Sequence, residues 1–328
     1  MKYRKLFPLV LLIGLLCQAD INGQTRSRQK RPRQQRPRQT RRAAVKPKVK
    51  ARNTDKVDFD LCYDFSIEAI PSRINFVTVI PKTIPDRQQI LDIKYSTEPS
   101  RVFSKNGNDY VEFVFTRPKR QFQLKINVKA RLSRFDLSTA QKKYKENPPE
   151  TPNLDEFLKH EQYIEKDNPK IQQIAKSIKG QTETDIVKEI YEYVTDRLQY
   201  VIRNDEAGAA KTLQKKKGSC TEYSDLFVAL CRAKNIPARV VKGYVTEFDS
   251  VPQHAWAEAY LKKYGWVPFD LIYGDVKQKS AKNKRFQNLK PIYIYLTSTR
   301  NDPILNEAIT VQGLWIGEVK LQDLIVFK

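Results

Sequence analysis

Cys220 has the local sequence of a nucleophilic cysteine. It follows a Gly-Ser pair, whose glycine permits a tight turn, and it opens a predicted helix that runs to Lys234. A helix N-terminus presents unpaired N–H groups and a positive dipole end, and both favour the thiolate form of a cysteine. Three lysines at positions 215–217 add further positive charge. Because the thiolate is the reactive species, we predict that Cys220 is the nucleophile of an acyl-transfer site.

The other cysteines fit structural roles better. Cys231 lies on the same predicted helix, about 16 Å along the helix axis from Cys220, which is too far for a disulfide. Cys62 alternates with apolar residues in a strand pattern and is predicted to be a buried thiol. The sequence is therefore not that of a disulfide scaffold.

The chain contains two histidines that could act as the base for this thiol. His160 lies in Lys-His-Glu within a predicted charged helix and is predicted to be a surface residue. His254 opens an alternating strand, and a short turn then returns the chain to Asp270 on the adjacent antiparallel strand. In a suitable register the two side chains are within reach of each other. A carboxylate there fixes the imidazole tautomer and stabilises its protonated form.

Three blocks of the sequence resemble the transglutaminase-like superfamily. Residues 218–244 (Gly-Ser-Cys-Thr-Glu-Tyr onward) resemble its nucleophile block, residues 254–261 (His-Ala-Trp-Ala-Glu-Ala-Tyr-Leu) its histidine block, and residues 265–270 (Gly-Trp-Val-Pro-Phe-Asp) its aspartate block. The resemblance implies a papain-like α+β fold in which Cys220 is the nucleophile, His254 the base and Asp270 the orienting acid. The sequence departs from the family where Leu271-Ile272 stands in place of a frequent Pro-Thr.

An acyl-transfer site also needs donors for the oxyanion. The backbone N–H of Cys220 can supply one. By resemblance, Tyr200 is a candidate for a second donor. Gln214 is another, because it precedes the cysteine by the spacing of the papain-type glutamine. Trp256 and Trp266 are candidates for the cleft wall, with core packing as the alternative. We expect no cofactor and no metal, because the acidic residues lack the spacing of a calcium loop.

The elements that must position these residues form two predicted domains. Residues 57–136 consist of short alternating or apolar runs separated by turn signals, which is typical of a small β-sandwich. From residue 137 the hydrophobic period becomes helical, and Thr182 with Asp185 resembles a helix start. Helices followed by antiparallel strands indicate an α+β catalytic domain over residues 137–328, including a C-terminal strand extension.

The first 56 residues differ in composition from the rest. Residues 1–23 resemble a signal peptide, with basic residues followed by an apolar run from Leu6 to Leu16 that is too short to span a bilayer. Lipoprotein anchoring at Cys17 is disfavoured, because Leu16 is not small. Residues 24–56 are predicted to be a disordered linker rich in Arg, Lys, Gln and Pro.

Most of the net charge of +23 comes from that linker, because thirteen Lys or Arg and no acidic residue lie between positions 25 and 52. The linker is either a solvated spacer or an electrostatic tether to an anionic surface such as lipopolysaccharide, phospholipid or another polyanion. Sequence-specific nucleic-acid binding is not expected, because no aromatic residues interleave the basic ones. The signal-like segment predicts a periplasmic or extracellular location.

Several reactions are compatible with this sequence. We favour hydrolysis of peptide or side-chain amides, as in a cysteine peptidase or amidase, through a thioester that water resolves. The alternatives are cross-linking by a protein-glutamine γ-glutamyltransferase and a non-catalytic surface-binding module. The lysines at 215–217 and 262–263 flank the motif blocks. If they rim the cleft, they favour acidic or neutral substrates over lysine-bearing ones.

Overall fold

Two facing four-stranded sheets and a third, helix-bearing sheet make up the described part of the chain. The structure is a computed structural model that describes residues 54–68, 73–146, 153–202, 206–247, 252–305, 311–315 and 318–328. All of these belong to one compact unit, Arg52–Lys328. The predicted signal peptide and the linker up to residue 53 lie outside the described residues.

The helices follow the sequence pattern closely. The described residues contain α1 (Leu137–Glu146), α2 (Pro169–Ser177), α3 (Glu183–Arg197), α4 (Gly208–Lys215), α5 (Cys220–Ala233), α6 (Leu271–Gly274) and α7 (Lys279–Gln287). The predicted start of α3 is confirmed, because the Thr182 and Asp185 side chains and backbone N–H groups form a reciprocal capping box. None of these helices is long and apolar enough to cross a membrane.

The strands are more numerous than the sequence predicts. Those before the helices are β1 (Thr54–Ile67), β2 (Arg73–Ile80), β3 (Gln88–Tyr95), β4 (Arg101–Lys105), β5 (Asn108–Thr116), β6 (Gln121–Ser133) and β7 (Phe135–Asp136). Those that follow are β8 (Gln199–Tyr200), β9 (Lys217–Gly218), β10 (Ala238–Val245), β11 (Gln253–Leu261), β12 (Gly265–Phe269), β13 (Asn288–Leu289), β14 (Tyr293–Thr297), β15 (Val311–Trp315) and β16 (Val319–Phe327).

The strand-rich region is a sandwich of two sheets with strand orders β16-β1-β6-β3 and β15-β2-β5-β4. Aromatic rings from the two sheets meet between the layers, where Phe76 lies 4.9 Å from Tyr63 and 5.3 Å from Phe65 between ring centroids. The sequence assigned residues 57–136 to this sandwich and the last strands to the catalytic domain. The structure instead pairs β16 with β1 and β15 with β2. Without them, β1 and β2 would be edge strands, each bonded on one side only, to β6 and β5 respectively.

The third sheet, with strand order β12-β11-β10-β14, carries the helices. Helix α5 packs against it and is buried from Glu222 to Arg232, so α5 is the central helix of the second core. Strand β11 is buried along nearly its whole length and presents alanines at 255, 257 and 259 on one face. Those small side chains let α5 approach the sheet closely. The α+β architecture predicted from the sequence is therefore present.

Strand β3 ties the sandwich to the third sheet. The Gln88 side chain donates to the backbone oxygen of Tyr295 (2.9 Å) and accepts from its backbone N–H (2.9 Å). The Gln88 side-chain amide thus bonds both backbone groups of a β14 residue, as the backbone of a neighbouring strand would. Its neighbour Arg87 donates to the backbone oxygen of Trp266 at 2.6 Å. These bonds fix the sheet that carries the candidate site.

Candidate active site

Cys220 occupies the first position of α5, as the sequence predicts. Ser219 is the N-cap residue, and the Glu222 carboxylate accepts from its backbone N–H (2.8 Å) and its hydroxyl (2.7 Å). Gly218 is needed for a steric reason, because a Cβ atom there would lie 2.6 Å from the Glu222 Cβ. The Gly-Ser-Cys-x-Glu pattern therefore builds the capped turn that holds the thiol at the helix start.

His254 and Asp270 meet beside this thiol. His254 is the second residue of β11, and Asp270 follows β12, the other strand of the hairpin. The His254 Nε2 atom lies 2.8 Å from the Asp270 Oδ2 atom, and both side chains are buried. The other ring nitrogen is then available to the Cys220 thiol, with which His254 forms a side-chain hydrogen bond. The backbone N–H of Ala255 also donates to the Cys220 sulphur.

Asp270 is held by donors that the sequence analysis missed. The Tyr293 hydroxyl donates to its Oδ2 atom at 2.6 Å, and the Tyr273 backbone N–H donates to Oδ1 at 2.9 Å. The Tyr191 hydroxyl donates to the Asp270 backbone oxygen at 3.2 Å. Leu271-Ile272, which replaces the frequent Pro-Thr, begins α6, so the carboxylate still receives a helix N-cap bond. The alternating Tyr-Ile-Tyr of β14 indicates only a strand, which is why Tyr293 was not predicted.

The charges of the three side chains support an ionised pair. Burial acts against the thiolate, but the His254 hydrogen bond and charge, with the Ala255 N–H, lower the pKa of Cys220 below its ordinary value. Burial also acts against the imidazolium, but Asp270 and Cys220 together raise the pKa of His254 to about 10. Despite burial, His254 and the other donors lower the pKa of Asp270. These shifts all favour the thiolate–imidazolium pair beside an ionised carboxylate.

The two oxyanion candidates lie in different surroundings. Tyr200 pairs with Gly218 in the short β8–β9 ladder, and its pKa is raised by burial and by the nearby Cys220. The ladder places the Tyr200 backbone beside Gly218, two residues before the thiol, while 47% of the Tyr200 surface stays exposed. Gln214 is exposed on α4, and among the described residues its side chain forms no hydrogen bond. The structure thus brings Tyr200, but not Gln214, to the candidate site.

The tryptophans do not form the expected cleft wall. Trp256 is fully buried and packs 6.2 Å from the His254 ring between centroids, so it supports the histidine from the interior. Trp266 pairs with Tyr260, about 20 Å along β11 from His254, and it packs against Phe157. For Trp266 the packing alternative fits better than the cleft wall, because the tight hairpin turn places it at the opposite end of the strands.

Some predicted rim lysines are also distant from the thiol. Lys262 follows β11 at its far end, about 26 Å from His254, and it pairs with Glu183 at 3.7 Å. Lys217 lies in β9 immediately before the candidate site and is exposed. His160, the second histidine, is half exposed and contacts Asp167 at 3.2 Å. Within the described ranges, no group of three or more His, Cys, Asp or Glu side chains is arranged to hold a metal.

Comparison with known proteins agrees with this geometry. The sequence profile of the transglutaminase-like superfamily matches residues 172–271, which include the nucleophile, histidine and aspartate blocks. The uncharacterized protein YebA of Bacillus subtilis is 33% identical over 87 residues, which are 22% of this chain and 12% of YebA. The chain thus spans about an eighth of the length of that curated relative.

One solved structure has the same fold over most of the chain. A protein from Cytophaga hutchinsonii, provisionally named a cysteine protease, superposes with a TM-score of 0.55 at 19% identity, over 84% of this chain and 92% of that one. The periplasmic domain of TgpA from Pseudomonas aeruginosa is a more distant likeness, with a TM-score of 0.33 and 16% identity over 70% of this chain and 75% of that one. The first of these covers both the sandwich and the helix-bearing sheet.

Proposed function

We propose that this chain, which belongs to the transglutaminase-like superfamily through residues 172–271, hydrolyses peptide or side-chain amides with Cys220 as its nucleophile. The observation that carries this proposal is the buried hydrogen-bonded series Cys220–His254–Asp270 at the start of a capped helix. A structural histidine has no need of a thiol on one side and a carboxylate with two further donors on the other. A binding module that only kept the fold would have no reason to retain this series.

The chemical steps follow from the charges of these groups. The Cys220 thiolate attacks the amide carbonyl carbon, a C–S bond forms, and the carbonyl π electrons move to oxygen. The tetrahedral species collapses as the C–N bond breaks, and the His254 imidazolium gives its proton to the leaving amine. Neutral His254 then takes a proton from water, whose oxygen attacks the thioester. The C–S bond of the resulting tetrahedral species breaks, its electron pair returns to sulphur, the carboxylic acid leaves, and the thiolate–imidazolium pair is restored.

Two donors are positioned for the oxyanion. The backbone N–H of Cys220 is at the first turn of α5, where it has no partner within the helix. The hydroxyl of Tyr200, which lies on the β8 strand beside Gly218, is our candidate for the second donor. A donor that meets the oxyanion in the transition state contributes about 3–4 kcal/mol in other acyl-transfer enzymes. We therefore assign the second donor to Tyr200 rather than to Gln214, which has no described contact with the thiol.

Hydrolysis is favoured over transfer to a lysine amine by what surrounds the thiol. Transfer requires an approach that excludes water and holds a neutral amine. Trp256 is enclosed behind His254, and Trp266 lies at the far end of the hairpin. The rim next to the thiol instead carries Lys217 and the exposed ring of Tyr200. Water is the default acceptor at such a site.

The test uses a thiol-reactive probe followed by a peptide library. Cys220 is expected to label faster than Cys62 or Cys231, whose thiols are buried and have raised pKa values. Cys220→Ala should abolish labelling and peptide cleavage, and the matched control Cys62→Ala should retain both. Faster labelling of Cys62 or Cys231 in the native protein would overturn the assignment. Incorporation of a labelled amine that outpaces release of free acid would instead establish the transferase alternative.

We further propose that the reaction takes place outside the cytoplasm, as the signal-like residues 1–23 indicate, and that residues 25–52 bind an anionic surface. Cell fractionation with sequencing of the mature N-terminus tests the location. Recovery of the unprocessed chain in the cytoplasm would contradict it.

A further inference from the structure

Lys242 is a buried lysine at an apolar position beside the candidate site. On β10 it occupies the face that Ala238 and Val240 fill with apolar side chains, and only 4% of its surface is exposed. Across the ladder it pairs with Ala255. Ala255 is the residue whose backbone N–H donates to the Cys220 sulphur. Paired residues of an antiparallel ladder have Cβ atoms about 5 Å apart, so the lysine starts next to the nucleophile.

Two carboxylates near Lys242, those of Asp225 and Glu206, share the single guanidinium of Arg300. Asp225 accepts from the Arg300 guanidinium through both oxygens, at 2.8 and 3.1 Å. Glu206 accepts from the same guanidinium at 3.1 Å. The Lys242 pKa is lowered by burial and by the nearby Arg300 and raised by three negative groups, those of Glu206, Asp225 and Cys220. Among the described residues, however, the Lys242 ammonium has no hydrogen bond and no ion pair of its own.

An ammonium in this position is costly for the fold. Taking a charged side chain largely out of water carries a desolvation cost, and an apolar residue of similar volume is often as stable there or more so. Burial and the nearby Arg300 lower the pKa of Lys242, which expresses the same cost. A group that the folded protein leaves without a partner next to a nucleophile is suited to receive one from a substrate.

We propose that Lys242 determines specificity and that its ammonium binds a carboxylate on the acyl side of the substrate, next to the carbonyl that Cys220 attacks. This inference rests on the proposed function and narrows it to acidic substrates, such as a peptide with an Asp or Glu side chain or a free carboxylate beside the cleaved amide. The exposed lysines of the rim are solvated and add little discrimination. Lys242 discriminates because its partner is bound away from water.

Two alkylating agents of nearly equal size test the inference without knowledge of the substrate. Iodoacetate carries a carboxylate and iodoacetamide a neutral amide, and both react with the Cys220 thiolate. In the wild-type protein we expect Lys242 to accelerate iodoacetate relative to iodoacetamide. Lys242→Met should lower the rate ratio of iodoacetate to iodoacetamide about tenfold, as expected for loss of one charged hydrogen bond. Lys217→Met, which removes an exposed lysine near the same thiol, should change the ratio less than twofold.

The outcomes separate this inference from its rivals. If Lys242→Met slows both reagents equally, the lysine stabilises the thiolate and does not bind substrate, so the inference fails. An unchanged ratio with unchanged rates overturns it as well. If iodoacetamide does not label Cys220 faster than Cys62 and Cys231 in the wild-type protein, the proposed function itself fails. Thermal unfolding guards against misfolding, because Lys242→Met is expected to keep or raise the melting temperature, whereas a structural role for the lysine would lower it.

Discussion

Replacing Asp270 by asparagine should uncouple the thiol from its base without changing the shape of the site. Asp270 is buried and lies 2.8 Å from His254. Burial is the largest single influence on His254 and lowers its pKa, but the charge and hydrogen bond of Asp270, together with those of Cys220, outweigh burial and raise the pKa from 6.5 to about 10. Asparagine lacks the charge, so in Asp270→Asn burial governs and the pKa of His254 falls. The proton then remains on the Cys220 thiol near neutral pH.

The magnitude follows from the same pKa. A rise from 6.5 to about 10 corresponds to roughly 5 kcal/mol in favour of the imidazolium, and each 1.36 kcal/mol is a factor of ten. Even if Asp270 supplies only half of this preference, the thiolate population near pH 6.5 falls about a hundredfold in the variant. Above the pKa of the isolated thiol the difference disappears, because the thiolate no longer depends on its partner.

The assay is the rate of alkylation of Cys220 by neutral iodoacetamide, followed by mass spectrometry between about pH 6 and pH 10. Wild-type protein should react throughout this range, whereas Asp270→Asn should react slowly at the acidic end and approach wild type at the alkaline end. Asp275→Asn is the matched control, because that carboxylate bonds the Tyr223 hydroxyl (3.1 Å) and not His254. A wild-type rate for Asp270→Asn near neutral pH would refute the coupling.

Three further predictions concern other parts of the molecule. His254→Ala should lose most turnover and keep the fold, whereas His160→Ala should do neither; equal activity of both variants would remove the base assignment. Arg300→Met leaves the buried Asp225 unpaired and should cost about 3–5 kcal/mol in denaturant unfolding. Burial already raises the pKa of Asp225 to about 6 despite Arg300, so this loss should shrink as the pH falls below that value, and a pH-independent loss would contradict the argument. Residues 25–52 should bind anionic vesicles in a salt-sensitive way, and binding that survives high salt or deletion of the segment would exclude the tether.

The sequence could predict those parts of the site that local geometry determines. Gly218 and Glu222 build a helix start within a few residues of Cys220, and the short turn after β11 leaves little freedom in how Asp270 returns to His254. The same turn also indicates that Trp266 lies far from the cleft, because counting outward from the turn places Trp266 opposite Tyr260. Aromatic type alone is a poor guide to position.

Other parts depend on contacts between distant segments. Tyr293 reaches Asp270 only because β14 joins the sheet on the far side of β10, and no local pattern states that pairing. Lys242 sits in an alternating strand whose period gives its face but not the charges around it. The partner of β16 is likewise undetermined by its own sequence, since any alternating strand could have accepted it.

The pairing of β1 with β16 means that the sandwich can be completed only after the last strand has been synthesised. Phe59, near the first described residues, pairs with Phe327, near the last. Contacts between residues so far apart in sequence carry a large loop-closure entropy and slow the formation of a native sheet. The sandwich therefore cannot be completed until the entire catalytic region has emerged from the ribosome. Until then the nascent chain lacks the β1–β16 and β2–β15 pairings that complete its two facing sheets.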